Sequence, residues 1–526
     1  MRVADGRPAG VGRRGRAWSA ITVATILGIA TSACAPDPLP RGTLNSPAQI
    51  PDDGSDSADI VIDLGAEPRP IDRRLLGTNV PAWIGPARLA DPEFQTQTKT
   101  AGVSLLRMPG GSWSTWYDWA ACEEADPEGC YFVGSARPTD FIDFMQATEL
   151  PGMWTLSINH TAQSAAAAVA FFNGAVDDER VIGVDRNGVD WGTVGSWASL
   201  RARGGNDAPH RIDLWEVGNE VFAGRPESGG NQCASFGWEE VWTCDGSEYV
   251  TGDDQHDGYL AIRAAMKAVD PAVEVGAVGV GDPSEWSNWG NEVIDGTGDE
   301  LDFYIVHAYG FDSSPSGEAA VRRPSELWPE IVRTTRESLD ADIPLAITEY
   351  NLVSFEAADT EQAMTKAMNA LYIADSIGQL AVNGVEIANQ WNLGNGTTGS
   401  GTDYGMISMD DGSTFPQYDA MAMWSRAGSE LLPTAVEDDV LRVYATRHDD
   451  GRLTALVFNL SGAETTRTIR LAGGAPVDDA ELVSVWAADL SDTTMSTESS
   501  SVPVSDGRLS MVLPPWSMNA LEVGAP

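Results

Sequence analysis

Residues 214–220 read Leu-Trp-Glu-Val-Gly-Asn-Glu, and residues 345–351 read Leu-Ala-Ile-Thr-Glu-Tyr-Asn. In each, an apolar run of the kind that forms a buried strand stops at a glutamate with an asparagine close by: Glu220 follows Asn219, and Glu349 precedes Asn351. A glutamate at one strand end is ordinarily a solvated edge residue. Two of them in matching contexts read as paired carboxylates projecting from the rim of a barrel.

Working outward, similar short apolar runs recur at 75–80, 104–108, 153–159, 273–279, 303–309 and 385–391, with the two quoted runs at 214–219 and 344–349. Amphipathic stretches at 139–149, 164–173, 191–203, 256–269, 325–339 and 362–383 fall between them. Eight strands alternating with helices predict an α/β fold, a (β/α)8 TIM barrel over residues 73–428 with its chemistry at the C-terminal strand ends. After residue 435 the period changes to two. VLRVYAT, RLTALVFN, TTRTIRL, ELVSVW, LSMVL and MNALEV, separated by Gly, Asp and Ser turns, predict a C-terminal antiparallel β-sandwich over 435–526. Ala-Asp-Ile-Val-Ile-Asp-Leu, at the head of segment 58–72, alternates in the same way and is expected to add a strand to that sandwich.

The chain of 526 residues is too long for one core, and its 42% hydrophobic content is that of a globular protein. A net charge of −44, spread along the sequence, argues against nucleic acid or an anionic membrane surface as a direct partner. Residues 1–33 read as a signal peptide: five arginines precede the apolar stretch Ala17 to Ala33, which is too short to span a bilayer. Thr31-Ser32-Ala33-Cys34 resembles a lipobox, in which Cys34 is the lipidation site, and 34–57, rich in Pro, Asp, Ser and Gly, reads as a flexible tether. The expected location is extracellular, anchored to the outer face of a bacterial membrane as a lipoprotein, with ordinary cleavage and release as the alternative. The remaining cysteines form two close pairs, Cys122 with Cys130 and Cys233 with Cys244, and are expected to be disulfides of an exported protein.

The predicted strand ends carry Arg107 after strand two, Asn159-His160 after three, Asn219-Glu220 after four, His307 and Tyr309 after six, Glu349 after seven and Trp391-Asn392 after eight. This constellation suits hydrolysis of a glycosidic bond. Glu220 would donate a proton to the leaving oxygen and Glu349, ionised, would attack the anomeric carbon. Carboxyl groups about 5–5.5 Å apart would give double displacement with retention. Asn219 would donate to the substrate hydroxyl next to the anomeric carbon, Arg107 and Tyr309 would orient Glu349 and keep it ionised, and Trp391 would form a sugar platform. Asn159 and His307 would bond substrate or hold the carboxylates, and Trp83, Trp113 and Trp116 are further candidates for subsite walls.

With these residues in place the chain resembles the clan A glycoside hydrolases, whose acid/base follows an Asn at strand four and whose nucleophile ends strand seven. It is most similar to the family 51 α-L-arabinofuranosidases: Arg107-Met108-Pro109-Gly110-Gly111 running on to Tyr117-Asp118-Trp119, and Trp197-Ala198-Ser199-Leu200 leading to LWEVGNE, match that family's pattern. The resemblance implies a retaining O-glycosidase acting on plant-type polysaccharide. Tyr350 stands where that family usually carries Trp, and Thr-Glu-Tyr is similar to the family 44 endoglucanases. Families 39 and 79, β-xylosidases and β-glucuronidases, share the frame.

Other chemistries lack their motifs. The sequence contains no G-x-S-x-G, H-E-x-x-H or paired C-x-x-C, and Gly276 to Gly279 lacks the dinucleotide fingerprint. No cofactor or metal is implied. The Asp-rich loops 185–190 and 252–257 miss the EF-hand pattern and read as exposed loops. A different class of reading is a non-catalytic, surface glycan-binding lipoprotein on the same barrel. The presence of both glutamates favours the enzyme.

Overall fold

The computed structural model describes residues 58–124, 130–131, 133–224, 237–436, 438–473 and 479–524. The expected signal peptide, the tether, Cys34 and Cys233 lie outside the described residues. Cys122 and Cys130 form a disulfide, and Cys244 is also disulfide-bonded.

Eight parallel strands close into a barrel in sequential order: β1 (Gly77–Asn79), β2 (Leu105–Met108), β3 (Gly152–Leu156), β4 (Leu214–Val217), β5 (Glu274–Val278), β6 (Phe303–Phe311), β7 (Leu345–Val353) and β8 (Ile387–Gln390). Two boundaries matter for the site. β3 stops at Leu156, short of the predicted 159, whereas β6 and β7 run on together past the rim as far as the pair Phe311 and Val353. Helices Pro92–Thr100, Glu285–Thr297 and Pro416–Trp424 were not expected from the sequence. Pro92–Thr100 buries only Phe94 and Thr98, too sparse an apolar stripe to register as helical periodicity.

Inside a barrel, side chains alternate inward and outward with period two. Leu105, Met153, Leu214, Phe303, Ile305, Ala346 and Ile387 form one apolar plug. Two residues further along their strands, the same alternation places Arg107, Thr155 and Glu216, all buried. The plug closes the barrel from below, and this charged layer floors its mouth.

β7 breaks the alternation. Val306 of β6 pairs with Ile347 but His307 pairs with Glu349, so Thr348 is an extra residue, a β-bulge. Ala346 faces the plug, and strict period two would send Glu349 outward. The bulge reverses the phase and turns Glu349 in. Tyr350 consequently faces the helical layer, where it is fully buried with its ring 5.8 Å from Trp328 of helix Pro324–Arg336.

The rest of the chain builds two packed sheets. One orders Thr434–Val436, Ile60–Asp63, Thr465–Ala472 and Arg508–Leu513; Ile60–Asp63 runs parallel to Thr465–Ala472, so this sheet is not wholly antiparallel as expected. The other is antiparallel and has seven strands, with Ser496–Pro503 at one edge and Arg69–Pro70 at the other. Ser496–Pro503 escaped the sequence reading because an edge strand exposed at nearly every position needs no apolar alternation. The strands of the larger sheet use both faces. Val443, Ala445 and Val457 pack between the sheets, while Tyr444, Leu456 and Phe458 join the barrel's core. Tyr444 lies on helix Ala367–Val382 where a Cβ at Gly378 would sit 2.2 Å from its ring, and its hydroxyl donates to Asp375 at 2.5 Å.

Candidate active site

Glu349 sits at the mouth with its side chain 6% exposed. Arg107 Nη1 donates to its Oε1 at 2.9 Å and the Tyr309 hydroxyl to its Oε2 at 3.0 Å. Arg107 draws four strands together. Its Nε donates to Glu216 at 2.5 Å, Nη1 also to Asn79 Oδ1 at 2.7 Å, and Nη2 to Asn219 Oδ1 at 3.0 Å. The guanidinium is fully buried, and the Thr155 hydroxyl donates to the same Glu216 oxygen, Oε2, at 2.6 Å.

Glu220 is presented differently. β4 ends at Val217, Gly218 turns the chain with φ 89°, and Glu220 itself is left-handed at φ 41°, ψ 37°. A non-glycine residue held there costs about 1–3 kcal/mol, a strain that clusters at functional sites. The Trp238 indole N–H donates to Oε2 at 2.5 Å, and His307 Nδ1 lies 3.1 Å from Oε1. His307 Nε2 is in turn 3.0 Å from the hydroxyl of Thr348, the bulge residue. One carboxylate oxygen of Glu220, one of Glu349 and a ring nitrogen of His307 all lie within 4.8 Å of one another.

Burial raises the proton affinity of both carboxyls. For Glu349, His307 and Arg107 oppose that rise, while Glu220 adds to it; for Glu220 the opposing groups are Trp238 and then Arg107. Burial pushes His307 below its ordinary value, with Glu349 pulling the other way. Tyr309 is raised well above its own by burial and the charge of Glu349, and so stays a donor.

The cleft around the pair has a volume of about 670 Å³. One wall is Trp391, whose ring rests on the glycine pair after β2: a Cβ at Gly111 would lie 2.4 Å from it. Trp391 adjoins Trp83 (ring centroids 5.9 Å), and Trp83 adjoins Trp113 (4.8 Å). Trp116 stands farther out, stacked on Tyr131 and 43% exposed. The opposite wall holds Phe222, Trp238 and Trp286. Here Trp286, Ser287 and Asn288 are left-handed in succession, at φ 51°, 61° and 73°.

Asn219 also lines the cleft. Its carbonyl is taken by Arg107 and its amide donates to Glu239 at 2.9 Å, which fixes the amide orientation with one N–H to spare. Glu239 is fully buried, holds Ser112 and Thr115 as further donors at 2.5 and 2.9 Å, and is pushed up to about 7, by burial first and then by Glu220.

Asn159 does not join the site. Because β3 stops at Leu156, Asn159 lies out in the following turn, its amide donates to the Glu240 carbonyl at 3.0 Å, and it lines a separate pocket together with His160 and His256. The Asp-rich loops meet beside that pocket. Asp185 accepts from Thr161, Asn187, Val189 and Trp191, and Asp257 from Ala162 and Arg186.

Glu216, Glu239, Asn79, Trp238 and Trp286 were missed by sequence reading. Glu216 carried a signal: a charged residue inside the apolar run LWEV must be paired if the run is buried. Glu239 and Trp238 carried none, because their partners come from distant segments.

A buried arginine thus floors two carboxylates at the C-terminal mouth of a parallel barrel joined to a β-sandwich. Among solved structures the chain is similar to a family 51 α-L-arabinofuranosidase from Thermotoga petrophila (TM-score 0.70, 18% identity, 89% of this chain and 100% of that one). It is also similar to a family 44 endoglucanase from Clostridium thermocellum (TM-score 0.59, 14% identity, 89% and 99%). In sequence it is 29% identical over 215 residues to the intracellular exo-α-(1→5)-L-arabinofuranosidase of Halalkalibacterium halodurans, and that match spans 39% of this chain and 36% of that protein. No family model matches the chain.

Proposed function

We propose that the protein is a retaining glycoside hydrolase, with Glu220 as acid/base, Glu349 as nucleophile and an α-L-arabinofuranoside-type substrate. The observation that carries this reading is the 4.8 Å limit on the separation of the two carboxylates' oxygens. Such closeness falls on the short side of the carboxylate separations that divide retaining from inverting pairs, and suits direct attack by one carboxylate.

The shells assign the roles. Two carboxylates this close share a proton between them. Glu349 is the one in contact with the Arg107 cation, so the proton rests on Glu220, where it is available to the leaving oxygen. Glu349 attacks the anomeric carbon as the glycosidic bond breaks, and the leaving oxygen takes the proton of Glu220. Glu220, now ionised, removes a proton from the water that releases the glycosyl group from Glu349. The spare N–H of Asn219 serves the hydroxyl beside the anomeric carbon.

Arabinose as the sugar is supported by the likeness to proteins named as arabinofuranosidases, both in fold and over the aligned stretch of sequence. Of the alternatives, a β-glucuronidase fits least: no Lys or Arg is among the described residues lining the cleft, so a uronate carboxylate would meet acids without a counter-charge. Endoglucanase and β-xylosidase activities remain as the competing sugars. The non-catalytic reading is weakened because both glutamates line an open cleft. Export with a lipid anchor rests on the first 34 residues, and the Cys122–Cys130 disulfide fits an oxidising compartment.

The test is a panel of aryl α-L-arabinofuranoside, β-xyloside, β-glucoside and β-glucuronide, with the anomer of the first-formed product read by proton NMR. Turnover of the arabinofuranoside with retained configuration is expected. An inverted first product, or no turnover of any member or of the corresponding polymers by folded protein, overturns the reading.

A further inference from the structure

The geometry points to a binding site for the leaving group: a neutral sugar ring stacks on Trp286, on the Glu220 side of the cleft. This inference rests on the glycosidase reading above. The acid must face the glycosidic oxygen, so whatever departs with that oxygen lies on the side of Glu220. On that side the wall is aromatic and continuous with the acid itself. Trp238 holds Glu220 by its indole N–H, the Trp238 and Trp286 rings stand 5.6 Å apart and perpendicular, and Phe222, two residues after Glu220, lies 4.9 Å from Trp286.

Trp286 is presented to the cleft by an uncommon backbone. It begins the left-handed run of three residues, none of them glycine, and three residues later Trp289 is fully buried with its indole N–H donating to the Val278 carbonyl of β5 at 2.9 Å. The helix is thus fastened to the barrel immediately after the strained turn, and the turn leaves Trp286 part-exposed among the residues lining the cleft. Strain of this kind persists only where the surroundings enforce it. An indole face offers a sugar ring a surface for its C–H groups, as aromatic residues with one apolar face do at wet interfaces. Asp312 and Glu285 line the same cleft, supplying acceptors for hydroxyls and repelling an anionic sugar.

The experiment compares wild type and Trp286→Ala on α-1,5-linked arabinotriose, whose leaving group is a disaccharide, and on α-L-arabinofuranosyl fluoride, whose one-atom leaving group does not extend to Trp286. The ratio of kcat/KM for the trisaccharide to that for the fluoride is expected to fall at least tenfold in Trp286→Ala, chiefly through KM. Trp286→Phe, which keeps an aromatic face, is expected to recover most of that loss. A ratio within threefold of wild type, or no recovery in Trp286→Phe, overturns the proposal. If wild type turns over neither arabinose substrate, the sugar assignment has failed rather than this site. The same ratio is then read on xylotriose with xylosyl fluoride or cellotriose with glucosyl fluoride, whichever pair wild type accepts, with the same tenfold fall expected and the same results overturning it.

Discussion

The ends of β4 and β7 present the same side chain by opposite means. At β7 the strand continues, and an inserted residue, Thr348, turns Glu349 inward onto a buried cation and a tyrosine hydroxyl. At β4 the strand has ended, and Glu220 is held by a left-handed backbone, an indole N–H and an imidazole. One carboxylate is braced by an arginine cation and a tyrosine, the other by an indole and an imidazole. The difference teaches how one fold gives two glutamates different surroundings without changing the residue.

The asymmetry is broken most severely at β7. Glu349→Ala is expected to lower kcat by a factor on the order of 10⁴ to 10⁶, the range seen when a nucleophile is removed, with folding preserved by circular dichroism. Next, Glu220→Gln should cost roughly 10²- to 10⁴-fold on substrates with poor leaving groups and much less on activated aryl glycosides, which need no proton. Equal losses on both would deny Glu220 its role as acid.

Arg107→Met tests the brace itself. It leaves Glu216 and Glu349 buried without their cation, and a loss of about 3–5 kcal/mol in urea unfolding is expected together with loss of activity. Tyr309→Phe removes one hydrogen bond to a charged group, a change of about 1.5–3 kcal/mol, and should lower kcat about tenfold to a hundredfold, with folding stability falling by no more than that bond supplies.

The smallest effect concerns pH. Glu239, pushed up to about 7, holds a proton in the folded state that the unfolded chain has already lost above pH ~4.5. Its folded form binds more protons across that window, so its contribution favours the fold in acid and is lost as pH rises through about 7. Thermal melting between pH 5 and 8 should show the decline, and Glu239→Gln should flatten it. An unchanged slope would remove Glu239 as its source.

Much of this was legible in the chain because barrels advertise themselves. Eight short apolar runs with helices between them fix the rim, and the rim fixes which polar residues meet. Arg107, Asn219, Glu220, His307, Tyr309, Glu349 and Trp391 come together for that reason. Asn159 failed because an apolar run outlasted its strand. Tyr350, the residue that departs from the family 51 pattern, faces Trp328 and touches no substrate wall, so its identity bears on packing and not directly on the sugar. The bulge at Thr348 left no trace in composition, since an extra residue shows only against its partner strand. Glu239 and Trp238 were invisible for a similar reason: what makes them matter is where a loop lands.

Azide rescue tests the separation of roles most directly. With an activated aryl arabinofuranoside, azide should restore turnover in Glu349→Ala by attacking the face the nucleophile has vacated, giving a glycosyl azide of inverted configuration. In Glu220→Ala it should intercept the glycosyl-enzyme and give the retained azide. The opposite pairing of variant and product configuration would contradict the account.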